Sequence, residues 1–160
     1  DLSRAGSRRC GGMEISSVQR IAAKRVSPAL ATLSALIVDD EAHVRTYLRL
    51  VLRSLGMTTV WEAGEGKAAV ELYGQHQPGV VLLDVNMPMM SGSEVMLALT
   101  EIDPTAAVVI VTSQNEHETV KRFIRLGAIG YVLKYLPPER VIAALAETLG
   151  GLVESQEQSA

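Results

Sequence analysis

Five short apolar runs recur along the chain: Ala35-Leu36-Ile37-Val38, Met57 to Trp61, Val80-Val81-Leu82-Leu83, Ala107 to Val111, and Gly130-Tyr131-Val132-Leu133. The first, third and fourth lack polar alternation, the pattern of strands buried on both faces of a parallel sheet. The second is diluted by Thr58-Thr59 and reads as an edge strand. Helical stripes fill the intervals. Val44, Leu48, Val51, Leu52 and Leu55 mark one amphipathic helix that ends at Gly56. Gly64-Glu65-Gly66 turns into a second helix, with Ala68, Ala69, Leu72 and Tyr73 inward and a stop near Gln75 to Pro78. A third passes through Val95, Met96 and Leu99. A fourth spans Glu116 to Leu126 with Val120, Phe123 and Ile124 inward, and a fifth runs Pro138 to Leu149 until Gly150-Gly151 ends it. Strands alternating with helices predict the α/β class, a doubly wound sheet of five parallel strands with five helices.

Two of the buried runs empty into carboxylates. Val80 to Leu83 delivers Asp84, and Ala35 to Val38 delivers Asp39-Asp40-Glu41. Open parallel sheets bind ligands beyond the carboxyl ends of their strands. Neighbouring strands lie about 4.8 Å apart, so Asp39, Asp40 and Asp84 crowd together and repel unless a cation sits among them. Oxygen ligands with no His or Cys nearby favour magnesium. A single strand-end Asp followed by Pro88 is an ordinary turn; the second acidic strand end changes that reading. The remaining buried strands add a hydroxyl at Thr112-Ser113 and a cation at Lys134. Together these groups describe a phosphoryl site. Asp84 is the acceptor, magnesium and Lys134 neutralise the equatorial oxygens, and Thr112 donates to one of them.

The motifs Val38-Asp39-Asp40-Glu41, Asp84-Val85-Asn86-Met87-Pro88 with Ser91-Gly92, Val111-Thr112-Ser113, and Gly127-Ala128-Ile129-Gly130-Tyr131-Val132-Leu133-Lys134 resemble the receiver domain of two-component response regulators. The resemblance covers about residues 35 to 149. It implies a flavodoxin-like sheet of strand order 2-1-3-4-5, as in the chemotaxis receiver. It implies that Asp84 takes a phosphoryl group from a partner histidine kinase or histidine phosphotransfer protein. Asp40, Asp84 and the backbone carbonyl of Asn86 hold magnesium directly, and Asp39 acts through water. Such a domain is an autocatalytic phosphoacceptor that dephosphorylates itself, not a turnover enzyme, with Asn86 and Gln114 beside the attacking water. A switch is also expected: phosphate on Asp84 draws Thr112 toward it, Tyr131 turns into the space vacated, and a downstream protein target meets the last two helices and last strand. Most receivers place proline after the lysine, but here Tyr135 follows Lys134, so a trans bond is expected there.

Charge divides the chain unevenly. Residues 1–33 carry six basic and two acidic residues, leaving nine basic and sixteen acidic for 34–160, so an arm of +4 precedes a body of −7. An acidic body without a basic, aromatic-studded face argues against direct nucleic-acid binding. The three histidines, His43, His76 and His117, have no ligand spacing and read as surface residues; Cys10, the single cysteine, lies in the arm. No apolar run reaches the ~18 residues of a membrane span, and a cytoplasmic protein is expected. Residues 1–33 read as a basic N-terminal arm, with Met13 as a natural start and a short helix around Val18 to Ala23. Residues 34–150 form the receiver and 151–160 a polar tail, so no output domain is expected within these residues. The expected function is either a stand-alone receiver or part of a longer regulator. Along the first helix, Arg45, Arg49 and Arg53 stand one turn apart, a solvated face or a contact for the kinase.

The rival reading from another class is a magnesium-dependent phosphatase of the haloacid dehalogenase type. Its general acid stands two residues after the nucleophile, where this chain has Asn86, which cannot transfer a proton. A flavodoxin-like cofactor carrier shares the fold, but the acids would repel a flavin phosphate and no phosphate-cradling loop is present.

Overall fold

In the computed structural model, which describes residues 28–113 and 117–158, the apolar runs form one five-stranded parallel sheet of order β2-β1-β3-β4-β5. The strands are β1 (Ala35–Val38), β2 (Val60–Ala63), β3 (Val80–Asp84), β4 (Val108–Thr112) and β5 (Gly130–Leu133). Five α-helices alternate with them: α1 (Ala42–Ser54), α2 (Gly66–His76), α3 (Gly92–Ile102), α4 (His117–Arg125) and α5 (Pro138–Gln158). The flavodoxin-like α/β architecture is the expected one.

Side-chain alternation splits the core into two layers. Ala35, Ile37, Val80, Leu82, Val109, Val111 and Val132 face α1 and α5. Leu36, Val38, Val81, Leu83, Val108 and Ile110 face α2, α3 and α4. β1, β3 and β4 are buried at every residue, as their unbroken apolar runs require. Asp84 is the last residue of β3, and its register partner on β4 is Val111, which puts Thr112 one step further along the same edge.

Three boundaries differ from the sequence expectation, each for a physical reason. β2 begins at Val60, not Met57, because Met57 completes the cap of α1. The Gly56 amide donates to the Arg53 carbonyl and the Met57 amide to the Leu52 carbonyl, with Gly56 at φ 99°, the Schellman arrangement in which the residue after the glycine tucks under the helix. At the other end, α5 runs through Gly150-Gly151 to Gln158. Val153 extends the Leu145, Leu149 stripe by one more turn and is buried, which is worth roughly 1.5–3 kcal/mol and offsets the ~1 kcal/mol that each helical glycine costs. The residues before β1 also belong to the fold, since a 3-10 turn at Pro28–Thr32 buries Leu30 and Leu33 in the α1–α5 layer. Packed structure therefore reaches beyond the expected 34–150 span on both sides. The arm helix and Cys10 lie outside the described residues.

α4 buries only Phe123; Ile124, expected inward, is 45% exposed. On this short helix Phe123 fills the space over the sheet, and Ile124, one residue on, lies at the border of the covered face. His43, His76 and His117 are on the surface, and Trp61 is half-covered at the edge, its ring stacked on His76 at 4.3 Å. The Tyr73 hydroxyl donates to Asp103 at the end of α3, and burial together with that carboxylate pushes the phenol up to about 12. No cis peptide occurs among the described residues, so the bond before Tyr135 is trans. Within the same residues no helix is long and apolar enough to cross a membrane.

Candidate functional site

The carboxyl edge of the sheet gathers the charged residues. Asp39, Asp40 and Asp84 each offer a carboxylate oxygen within 4.8 Å of the others. Asp39 and Asp84 are buried and Asp40 is exposed, so the cluster opens to solvent through Asp40. Lys134, at the end of β5, reaches across with its Nζ 2.7 Å from Asp39 Oδ2 and 3.2 Å from Asp84 Oδ2. Its amide donates to the Thr112 carbonyl at 2.8 Å, which fixes where the lysine leaves the sheet and ties it to the hydroxyl-bearing strand end.

The loops are pinned by their own acids. The Asp39 Oδ1 atom accepts the Glu41 amide at 2.9 Å, and Asp84 Oδ1 accepts the Asn86 amide at 3.3 Å. These Asx-type turns hold both carboxylates over the strand ends. Beyond Asp84, Ser91 caps α3 by accepting the Glu94 amide. Gly92 is needed there, because a Cβ would lie 2.9 Å from Val85 Cα and 3.0 Å from the Asp84 carbonyl oxygen. Met89, at the tip of the same loop, adopts φ 70° and is almost fully exposed.

Electrostatically the site is unbalanced. Burial pushes the Asp84 carboxyl up to about 6, and repulsion from Asp39 adds to this; Lys134 and the Asn86 amide only partly oppose them. Burial draws the Lys134 ammonium down, but its contacts with Asp39 and Asp84 outweigh that and leave it raised. The ammonium is therefore a fixed cation. The 2.7 Å contact with Lys134 holds Asp39 Oδ2 by charge and hydrogen bonding, but a single ammonium there faces three carboxylates. Three clustered carboxylates that one ammonium only partly neutralises, with oxygen as the donor type, fit a hard divalent cation.

Of the residues expected at the site, Asp39, Asp40 and Asp84 form one cluster, and Lys134 contacts Asp39 and Asp84 within it. Thr112 is buried at the next strand end and lines a cavity of about 230 Å³ with Asn86, Ser91, Ser93 and Arg122. Tyr131 is 45% exposed, three residues before Lys134 and paired with Ile110. Alternation with buried Val132 puts it on the α4 side. Gln114 lies outside the described residues. Sequence reasoning missed Arg45, whose Nη1 donates to the Asp39 carbonyl at 2.7 Å. The spacing of Arg45 and Arg49 pointed to a helix face, and nothing local reveals that the face folds back onto β2.

Comparison with known proteins agrees with this geometry. The profile of the response regulator receiver domain matches residues 35–146. The chemotaxis protein CheY of Thermotoga maritima is 34% identical over 110 residues, covering 69% of this chain and 92% of that protein. The nitrate/nitrite response regulator NarL of Escherichia coli is 34% identical over 117 residues, 72% of this chain but 54% of its own length. Among solved structures, the receiver domain of AraT from Geobacillus stearothermophilus superposes with a TM-score of 0.68 at 32% identity, covering 79% of this chain and 97% of that one. The CheX–CheY complex of Borrelia burgdorferi with BeF3 and magnesium gives 0.69 at 27% identity, covering 73% and 89%.

The raised Asp84 value has a consequence for stability. The folded chain holds this proton more tightly, at about 6, than the unfolded chain does, at 3.8. The resulting stabilisation is present in full below about 4 and is lost as pH rises through 6. At pH 7.5 the ionised carboxylate therefore costs stability in metal-free buffer, roughly 1–3 kcal/mol with solvent screening through the open side of the cluster. Asp84→Asn should be more stable than the parent by that order at pH 7.5, with the gap closing toward pH 4 in urea titrations. A destabilised Asp84→Asn at pH 7.5 contradicts the assignment.

Proposed function

The chain belongs to the response regulator receiver domain family, and on that premise we propose that Asp84 accepts a phosphoryl group from the phosphohistidine of a histidine kinase or phosphotransfer protein. The observation that carries this reading is the meeting of buried Asp84 with the Lys134 ammonium at 3.2 Å inside the three-acid cluster. An Asp84 carboxylate oxygen attacks phosphorus, the P–N bond breaks, and the imidazole leaves with the electron pair. Lys134 holds a positive charge against the oxygens of the transferring group, and Thr112 supplies a hydroxyl to one of them. Asp40, Asp84 and the Asn86 carbonyl are the residues to hold magnesium, with Asp39 behind them; bound there, the ion neutralises developing charge on the phosphoryl oxygens. Asn86 is exposed and two residues beyond the acceptor, where an amide leaves water free to attack and cannot serve as the acid of a haloacid dehalogenase phosphatase. The domain is accordingly a self-dephosphorylating phosphoacceptor working in the cytoplasm, not a turnover enzyme.

Phosphorylation is read out on the side of α4, β5 and α5. Thr112 moves toward the phosphoryl oxygen, and Tyr131, half-exposed beside α4, turns inward. The altered face binds a downstream protein. Phosphate shifts this equilibrium only by its differential interaction with the two states, which Thr112 carries.

Incubation with acetyl phosphate and magnesium should add one phosphate by mass spectrometry, and Asp84→Asn should lose it. Labelling that persists in that variant at Asp39 or Asp40 overturns the assignment. For the switch, NMR of the beryllofluoride-loaded protein should show the Tyr131 ring and α4 resonances displaced. In Thr112→Ala they should stay in place although beryllofluoride still binds. An unmoved Tyr131 in the loaded parent sinks the switch.

A further inference from the structure

Arg45 and Arg49 lie one turn apart on α1, yet neither projects freely into solvent. Arg49 Nη2 is 2.6 Å from Glu62 Oε2 and donates to the Val60 carbonyl at 3.2 Å, while Arg45 Nε is 3.4 Å from Glu62 Oε1. Both therefore clasp β2 through Glu62. Arg45 alone goes further, its Nη1 donating to the Asp39 carbonyl at 2.7 Å. Gly64, just past β2, leaves room for it: a Cβ there would lie 3.2 Å from that same Nη1. The remaining polar atoms of Asp39 are held by other means. Its amide donates to the Ala63 carbonyl, its Oδ1 accepts the Glu41 amide, and its Oδ2 faces Lys134.

The Asp39 carbonyl belongs to the peptide unit that carries Asp40, the exposed member of the acid cluster. Because that unit is planar, fixing its oxygen fixes the direction in which the chain enters Asp40. We infer that Arg45 is a positioning residue for the cation site: it anchors the Asp39–Asp40 peptide to β2 and so presents Asp40 toward Asp84. The inference rests on the cation-binding part of the proposed function and adds a residue to it. It carries an unusual sign. Removing a positive charge near three carboxylates should, by charge alone, tighten cation binding. Loss of positioning should weaken it.

The test is isothermal titration calorimetry of magnesium into the unphosphorylated full chain. Ligand-orienting partners typically contribute tenfold or more to metal affinity, so Arg45→Met should bind magnesium roughly tenfold more weakly than the parent. Arg45→Lys, which can still donate to the Asp39 carbonyl, should recover part of the loss. Arg49→Met, which breaks the Glu62 contact but not the Asp39 bond, should leave the affinity unchanged, and urea titrations verify that all three variants are folded. Unchanged or tighter binding in Arg45→Met overturns the inference while leaving phosphorylation of Asp84 intact. Equal weakening in Arg49→Met also overturns it, by assigning the effect to the clasp on β2. A parent that binds no magnesium overturns both this inference and the cation site.

Discussion

Two buried carboxylates facing one ammonium at a sheet edge are the constraint around which this molecule is arranged. Asp39 and Asp84 come from adjacent strands whose register is set by a fully apolar core, so neither can retreat without breaking the β1–β3 ladder. Lys134 compensates for part of their charge and Asp40 adds to it. The imbalance shows in the Asp84 carboxyl, held up at about 6 by burial and by Asp39. A protein built only for stability would place an apolar residue here. The retained strain is what a proton relieves, and what a divalent cation bound there would relieve.

The surrounding structure keeps those acids in place rather than softening them. Each carboxylate accepts a backbone amide two residues on, which orients it without neutralising it. The Arg45 hydrogen bond holds the Asp39 peptide from the β2 side, and the hydrogen bond from the Lys134 amide to the Thr112 carbonyl holds the lysine from the β4 side. Gly92 lets α3 start hard against the Asp84 carbonyl. The loops after β1, β3 and β5 and the helices α1 and α3 thus converge on one edge, while Leu30 and Leu33 pack into the α1–α5 layer.

Much of this was legible in the chain itself. Three unbroken apolar runs announce strands covered on both faces, and two that empty into acids announce the site, because hydrophobic period and strand-end position are local properties. Met57 is as apolar as a strand residue, so the apolar run starts three residues before β2, and only the hydrogen bonds of the α1 cap show that Met57 is occupied there. The glycine pair at 150 and 151 reads as a stop, and only packing of Val153 on the core carries the helix past it. Ile124 has core chemistry but no core to face. Arg45 escaped for the same reason: its partner is a carbonyl on another strand end, and no spacing along α1 encodes that.

The most direct measurement is the carboxyl carbon-13 shift of Asp84, followed against pH in metal-free protein and again with magnesium. A metal-free titration near 6, displaced to markedly lower pH when magnesium is added, is the expected result. An ordinary carboxyl titration near 4 that magnesium does not move would contradict it, because Asp84 would then be neither strained by its neighbours nor part of a cation site.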